Sequence, residues 1–138
     1  MDKIYSPLKL NKIIFDKIEF LRSGFKNENK LNCSTEARIS RNDSQNIFKV
    51  TLVQKGFKQD EYSFEVQITG YFSLGENDFS DEIINDLVTK NTVAILMPYV
   101  RSEISLLTAQ PETDCVVLPP FNITKMIDEE HRMENDDK

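Results

Sequence analysis

The chain has 138 residues but only one histidine, two cysteines, four glycines and no tryptophan. Each scarcity removes a class of chemistry. The histidine, His131, sits in a charged stretch near the C-terminus. A histidine general base, a catalytic triad or a His-ligated zinc therefore has no framework. Glycine is too sparse for a loop that cradles phosphate. Cys33 and Cys115 lie far apart without metal-ligand spacing, and each reads as a small core hydrophobe. No apolar run approaches the roughly 20 residues that cross a bilayer, and Met1 to Pro7 lacks the apolar core of a signal peptide. The expectation is a cytoplasmic protein with no membrane insertion. In that compartment the glycosylation patterns Asn32-Cys33-Ser34 and Asn122-Ile123-Thr124 are idle. Basic residues are also outnumbered, 17 against 23 acids, for a formal net charge of −6. That balance excludes nucleic acid as the main partner, because phosphate neutralisation needs clustered lysine and arginine.

Carboxylates are plentiful, and the pairs Glu76/Asp78 and Asp81/Glu82 invite a metal or an acid–base role. Their places, at a break and at a helix start, fit caps and solvated surface instead. The reading is a non-enzyme with no catalytic residues, metal site or cofactor. Residues 1–138 form one domain, large enough for a true core, with residues 129–138 a charged, fraying tail.

Two segments alternate almost perfectly. Leu31, Cys33, Thr35, Ala37 and Ile39 oppose Asn32, Ser34, Glu36, Arg38 and Ser40. Tyr62, Phe64, Val66 and Ile68 oppose Ser63, Glu65, Gln67 and Thr69. Both predict strands with one buried face. Ile47 to Val53 between them is β-rich but less regular. Polar turns at Asn42-Asp43-Ser44 and Gln59-Asp60-Glu61 join the three into an antiparallel meander. The first segment, Leu8 to Leu21, fits two patterns. Leu10, Ile13, Ile14, Ile18 and Leu21 suit a helical face. Leu8, Leu10, Ile14, Ile18 and Phe20 suit a strand with an irregularity near Lys12, and the β-branched content tilts toward strand.

After a break at Gly75 to Asp78, Ser80 is a candidate N-cap, with Ile83, Ile84, Leu87 and Val88 on one helical face. Pro98 either kinks the long helix or sits in its first turn. A last amphipathic helix, capped by Asn122, carries Ile123, Met126 and Ile127. The order β-β-β-β-α-α is an α+β pattern: a four-stranded antiparallel sheet with a long helix and a shorter C-terminal helix packed on it.

Residues 93–107 carry the strongest functional signal. Read as a helix, Leu96, Val100, Ile104 and Leu107 form one ridge, and Ile95, Tyr99 and Leu106 a second. Together they span roughly 200° of circumference, about twice what a helix needs to sit on one sheet. One modest sheet covers one ridge, so the other calls for a partner, most simply a second copy. Glu103 projects between the ridges, either as a rim carboxylate or as an interface contact that sets register.

Leu96-Met97-Pro98-Tyr99-Val100-Arg101, followed by Val117-Leu118-Pro119-Pro120-Phe121-Asn122, resembles the SecB family of protein-export chaperones. Phe64-Glu65-Val66-Gln67-Ile68-Thr69-Gly70-Tyr71-Phe72-Ser73 is similar to that family's last strand, and Ile18-Glu19-Phe20 to its first. The resemblance covers nearly the whole chain in order. It implies that the first segment is a strand, and that the subunits form a tetramer as a dimer of dimers packed through the long helices. The interface would use Ile95, Leu96, Tyr99, Val100, Glu103, Ile104, Leu106 and Leu107. It also implies an ATP-independent holdase that binds unfolded polypeptides in apolar grooves, here Phe72, Leu74, Phe121, Ile123, Met126 and Ile127. Clients would be kept competent for translocation by the Sec export pathway.

The chain departs from the family at Met97, Ser102 and Ile123. Docking of the SecA motor would use acids on the sheet, for which Glu65, Glu19 and Asp16 are candidates. Lys17 and Leu21 stand where acids are expected. That difference leaves a role open in which the chain protects an antitoxin or another dedicated client. A small enzyme or ligand-binding α+β domain with carboxylate chemistry, or a plain interaction module, are the readings from other classes.

Overall fold

The computed structural model describes residues 8–42 and 46–119. Strands β1 (Leu8–Arg22), β2 (Leu31–Asn42), β3 (Ile47–Lys58) and β4 (Tyr62–Leu74) precede one helix, α1 (Asp81–Thr108). The strands form an antiparallel sheet in the order β1-β4-β3-β2, so β1 and β2 are its edges. This is the expected α+β architecture. The anticipated last helix, the tail and most of the Asn42-Asp43-Ser44 turn lie outside the described residues.

The meander follows from its alternation. Phe48 pairs with Phe72, Val50 with Gly70, Leu52 with Ile68 and Gln54 with Val66, all on the face beneath α1. Phe48, Val50, Leu52, Val66, Ile68 and Phe72 are essentially fully buried there. Gly70 brings the helix close: a Cβ at this position would lie 2.9 Å from Leu96 Cδ2 and 2.7 Å from the Phe72 ring. The β3–β4 turn places Asp60 at φ 60°, the left-handed region that aspartate tolerates.

β1 is a strand that breaks its own alternation. Register shifts fall between Leu10 and Lys12 and between Phe15 and Lys17. Each extra residue resets the parity, so Leu10, Ile13, Phe15 and Phe20 all pair with core-face residues of β4. Ile14, read as a core-side residue from the sequence, pairs with Thr69 on the opposite face and is half-exposed.

Ser80 caps α1, its Oγ accepting a hydrogen bond from the Ile83 N–H, and Asp81 and Glu82 occupy the first turn, where the helix dipole favours them. Pro98 sits inside the helix rather than at its start. It has no N–H for the Ala94 carbonyl, and both residues are exposed, so the break faces water. Ile84, Val88, Thr92, Leu96, Val100, Ile104 and Thr108 are buried, one every fourth residue. A step of four advances about 40° around a helix, so the buried stripe winds across α1 as it crosses a twisted sheet. Its two threonines satisfy their hydroxyls internally, Thr92 donating to the Val88 carbonyl at 2.6 Å and Thr108 to that of Ile104 at 2.8 Å.

A polar knot ties the β1–β2 connection over the β3–β4 turn. Lys58 Nζ lies 2.6 Å from Glu61 Oε1 and donates to the Asn27 carbonyl at 2.8 Å. The Asn27 N–H donates back to Glu61 Oε1 at 2.9 Å. The Glu61 side chain is fully buried. Burial alone would push its carboxyl up, but the Lys58 ammonium and the Asn27 N–H outweigh it and hold the group below the usual carboxylate range.

The cysteines correct an expectation. Both are exposed rather than in the core. Cys33 points to the helix side as its alternation required, but it lies on edge strand β2 beyond the reach of α1, which packs on β3 and β4. Partial desolvation still pushes its thiol up.

Candidate assembly and client surface

The helix separates its two ridges. Leu96, Val100 and Ile104 are fully buried against the chain's own sheet, and Leu107 is half-buried. Ile95, Tyr99 and Leu106 project within about 40° of one another on another side of α1. They are 36%, 46% and 69% exposed. Glu103 lies between the ridges and is half-buried. The single chain thus hides the first ridge and leaves the second open to solvent.

The chain then doubles back along the helix. The Ser105 hydroxyl donates to the Val116 carbonyl at 2.8 Å, and Arg101 Nε to that of Leu118 at 3.1 Å. Thr108 closes the return, its hydroxyl accepting from the Val116 N–H at 2.8 Å. Leu118 is buried, whereas Val117 between the two is 74% exposed. Val117 is therefore a further exposed apolar side chain, on the segment that returns along α1. The sequence reading missed it, although alternation along Val116-Val117-Leu118 carries the signal.

The groove candidates divide. Phe72 and Leu74 are core residues beneath α1 and present no surface in the single chain. Phe121, Ile123, Met126 and Ile127 lie outside the described residues. No group of three or more potential metal ligands occurs among the described residues. No described helix is long and apolar enough to cross a membrane.

Asp16, Glu19 and Glu65 do share a surface, the sheet face turned away from α1. Glu19 pairs with Glu65, and Asp16, the bulge residue, accepts from the Thr69 hydroxyl. Glu65 is not free. Lys17 Nζ approaches one of its oxygens at 3.3 Å and Lys55 Nζ the other at 4.0 Å. The Lys55 contact becomes legible only once the register of β3 against β4 is known. A cleft of about 420 Å³ opens beside this pair, lined by Glu19, Ser34, Lys55, Phe57, Ser63 and Glu65 among others.

No protein-family model matches the chain. An uncharacterized protein of Methanocaldococcus jannaschii is 30% identical to it over 142 residues, spanning 95% of this chain and 90% of that protein. A solved structure of the Mycobacterium tuberculosis SecB-like chaperone, in complex with a ChAD peptide from the HigA1 antitoxin, superposes with a TM-score of 0.68. The superposition covers 83% of this chain and 88% of that one, at 15% identity. The sheet and long helix found here thus share their fold with that SecB-like protein. A Streptococcus agalactiae protein of unknown function superposes at a TM-score of only 0.46, with 14% identity over 82% of this chain and 97% of that one.

Proposed function

The chain belongs to one family with the uncharacterized Methanocaldococcus jannaschii protein, and we propose that it is a SecB-like holdase, a chaperone that holds non-native polypeptide without ATP. One observation carries this reading: α1 buries Leu96, Val100 and Ile104 under its own sheet and leaves Ile95, Tyr99 and Leu106 open. Covering a large apolar side chain is worth about 1.5–3 kcal/mol, so an unshared second ridge forgoes several kcal/mol. Copies of the chain share it, as a dimer of dimers with the helices between the sheets. Phe121, Ile123, Met126 and Ile127 supply adaptable apolar contacts for clients within a single domain of residues 1–138. A surface that binds the unfolded chain and not the native one holds it unfolded by mass action. The setting is the cytoplasm.

Delivery of clients to SecA for export is one form of this activity. Protection of a dedicated client, such as an antitoxin, is the other, and the sheet face favours it. Glu65, one of the acids offered for SecA docking, is occupied by Lys17 and Lys55. The fold neighbour that carries an antitoxin peptide supports the same direction.

The test is size-exclusion chromatography with light scattering, with and without an unfolded client, alongside suppression of aggregation of several unrelated denatured proteins. A multimer that captures client and suppresses aggregation at sub-stoichiometric amounts is expected. A stable monomer that suppresses nothing overturns the proposal.

A further inference from the structure

The sheet face turned away from α1 carries a charge pattern that client holding does not use. Ser40, Lys49, Tyr71 and Lys12 lie side by side in one row across the four strands. Lys9 follows in the next row, opposite Ser73. The Lys12 ammonium sits 5.3 Å from the centroid of the Tyr71 ring. Lys9, Lys12 and Lys49 are all exposed, and none pairs with a carboxylate among the described residues. Elsewhere on this face the cations are matched: Lys17 and Lys55 by Glu65, and Arg38 by Glu36 at 3.0 Å.

Three unmatched ammonium groups in one corner are out of keeping with a chain of net charge −6. Strands lie about 4.8 Å apart, so Lys12 and Lys49, flanking β4, stand about 10 Å from each other. That separation is close to the screening length at physiological ionic strength, and an anion over Tyr71 feels both. The next row lies about 7 Å along the sheet, the same distance that separates alternate residues of an extended chain. β3 and β4 are interior strands with both ladders filled, so a visitor here is held by side chains rather than by strand addition.

We propose that the corner formed by Lys9, Lys12 and Lys49 around Tyr71 docks an extended acidic segment of a partner protein, with carboxylates at alternate positions. The corner is opposite in sign to a site for a basic partner, whereas Asp16, Glu19 and Glu65 lie farther along the same face. It also lies across the sheet from the open helix ridge, so it stands or falls independently of client holding.

The experiment measures anisotropy of a fluorescent ten-residue peptide of alternating glutamate and serine, titrated with the full chain. The probe has no apolar side chain, so an apolar client surface does not compete for it. Saturable binding is expected, weakening as salt rises from about 50 to about 300 mM. The triple variant Lys9→Gln, Lys12→Gln, Lys49→Gln is expected to bind roughly tenfold more weakly, while Lys55→Gln stays within about twofold. All four positions are exposed, and melting curves confirm that the variants fold. Suppression of client aggregation is expected to be unchanged in the triple variant. Absence of peptide binding, equal binding by the triple variant, or tighter binding of a single-stranded oligonucleotide at the same corner overturns the proposal.

Discussion

Lys17 Nζ reaches Glu65 Oε2 at 3.3 Å, joining edge strand β1 to β4 on the open face of the sheet. The lysine is close to half exposed, so the pair decides charge more than stability. Lys17→Gln is expected to change the free energy of unfolding by less than about 1 kcal/mol in urea titrations. The same change frees one oxygen of the Glu65 carboxylate at a candidate SecA position, with Lys55 still 4.0 Å from the other, so retention on immobilised SecA should rise above that of the parent chain. Equal retention of the two would detach Glu65 from motor docking.

Leu106 and Tyr99 should govern assembly without governing folding. Leu106→Glu places a charge on the open ridge, where a shared interface would have to bury it at a cost of several kcal/mol. Light scattering should report smaller particles while the melting temperature of the fold stays near that of the parent. Parent-size particles from the double variant Tyr99→Glu, Leu106→Glu would remove α1 from the interface.

Ile104 is the counterpart on the buried ridge. Its side chain is fully enclosed, and Ile104→Ala is expected to cost about 2–5 kcal/mol through lost burial and the cavity left behind. Chemical denaturation measures this directly. A change below about 1 kcal/mol would mean that the helix packs less firmly on the sheet than its burial implies.

The Lys58–Glu61 pair predicts both a mutational and a pH effect. Lys58→Ala leaves a fully buried carboxylate without its cation, and about 3 kcal/mol of destabilisation is expected. The Glu61 carboxyl is held below its ordinary value of 4.5 in the fold. Its contribution is therefore fully present above about pH 4.5 and is lost as pH falls through the lower folded value. Urea midpoints should fall with acid more steeply in the parent than in Glu61→Gln. Parallel curves would show that the group titrates alike in both states.

Much of this architecture was legible as alternation, because β2 and β4 keep strict parity and one face of each turns toward α1. β3 was harder to read because Thr51 and Val53 are buried on the open face as well, which blurs its pattern. β1 was ambiguous for a definite reason. Its two bulges set the core-side residues Leu10, Ile13 and Phe15 at mixed spacings of two and three, close to what a helix would show. Reading Cys33 as core failed because alternation reports a face and not whether anything covers it. The split between the ridges of α1 could be read because 3.6-residue periodicity survives the proline. Phe72, offered as groove surface, sits under the helix because which end of β4 the helix covers depends on a tertiary contact. The Lys9, Lys12 and Lys49 corner was invisible before the strands were in register, since its members come from two strands that both flank a third.

The bulges of β1 have a consequence for the chain as an object among sticky molecules. A straight outer strand is a comb of hydrogen-bonding teeth on which any extended peptide can zip, and fibrils start that way. Here the comb is missing a tooth in two places, near Asn11 and near Asp16. A stray chain that begins to align loses step within a few residues. A protein whose proposed work is to keep others from clumping thus carries, along the longer of its two edge strands, a ratchet against being the seed itself.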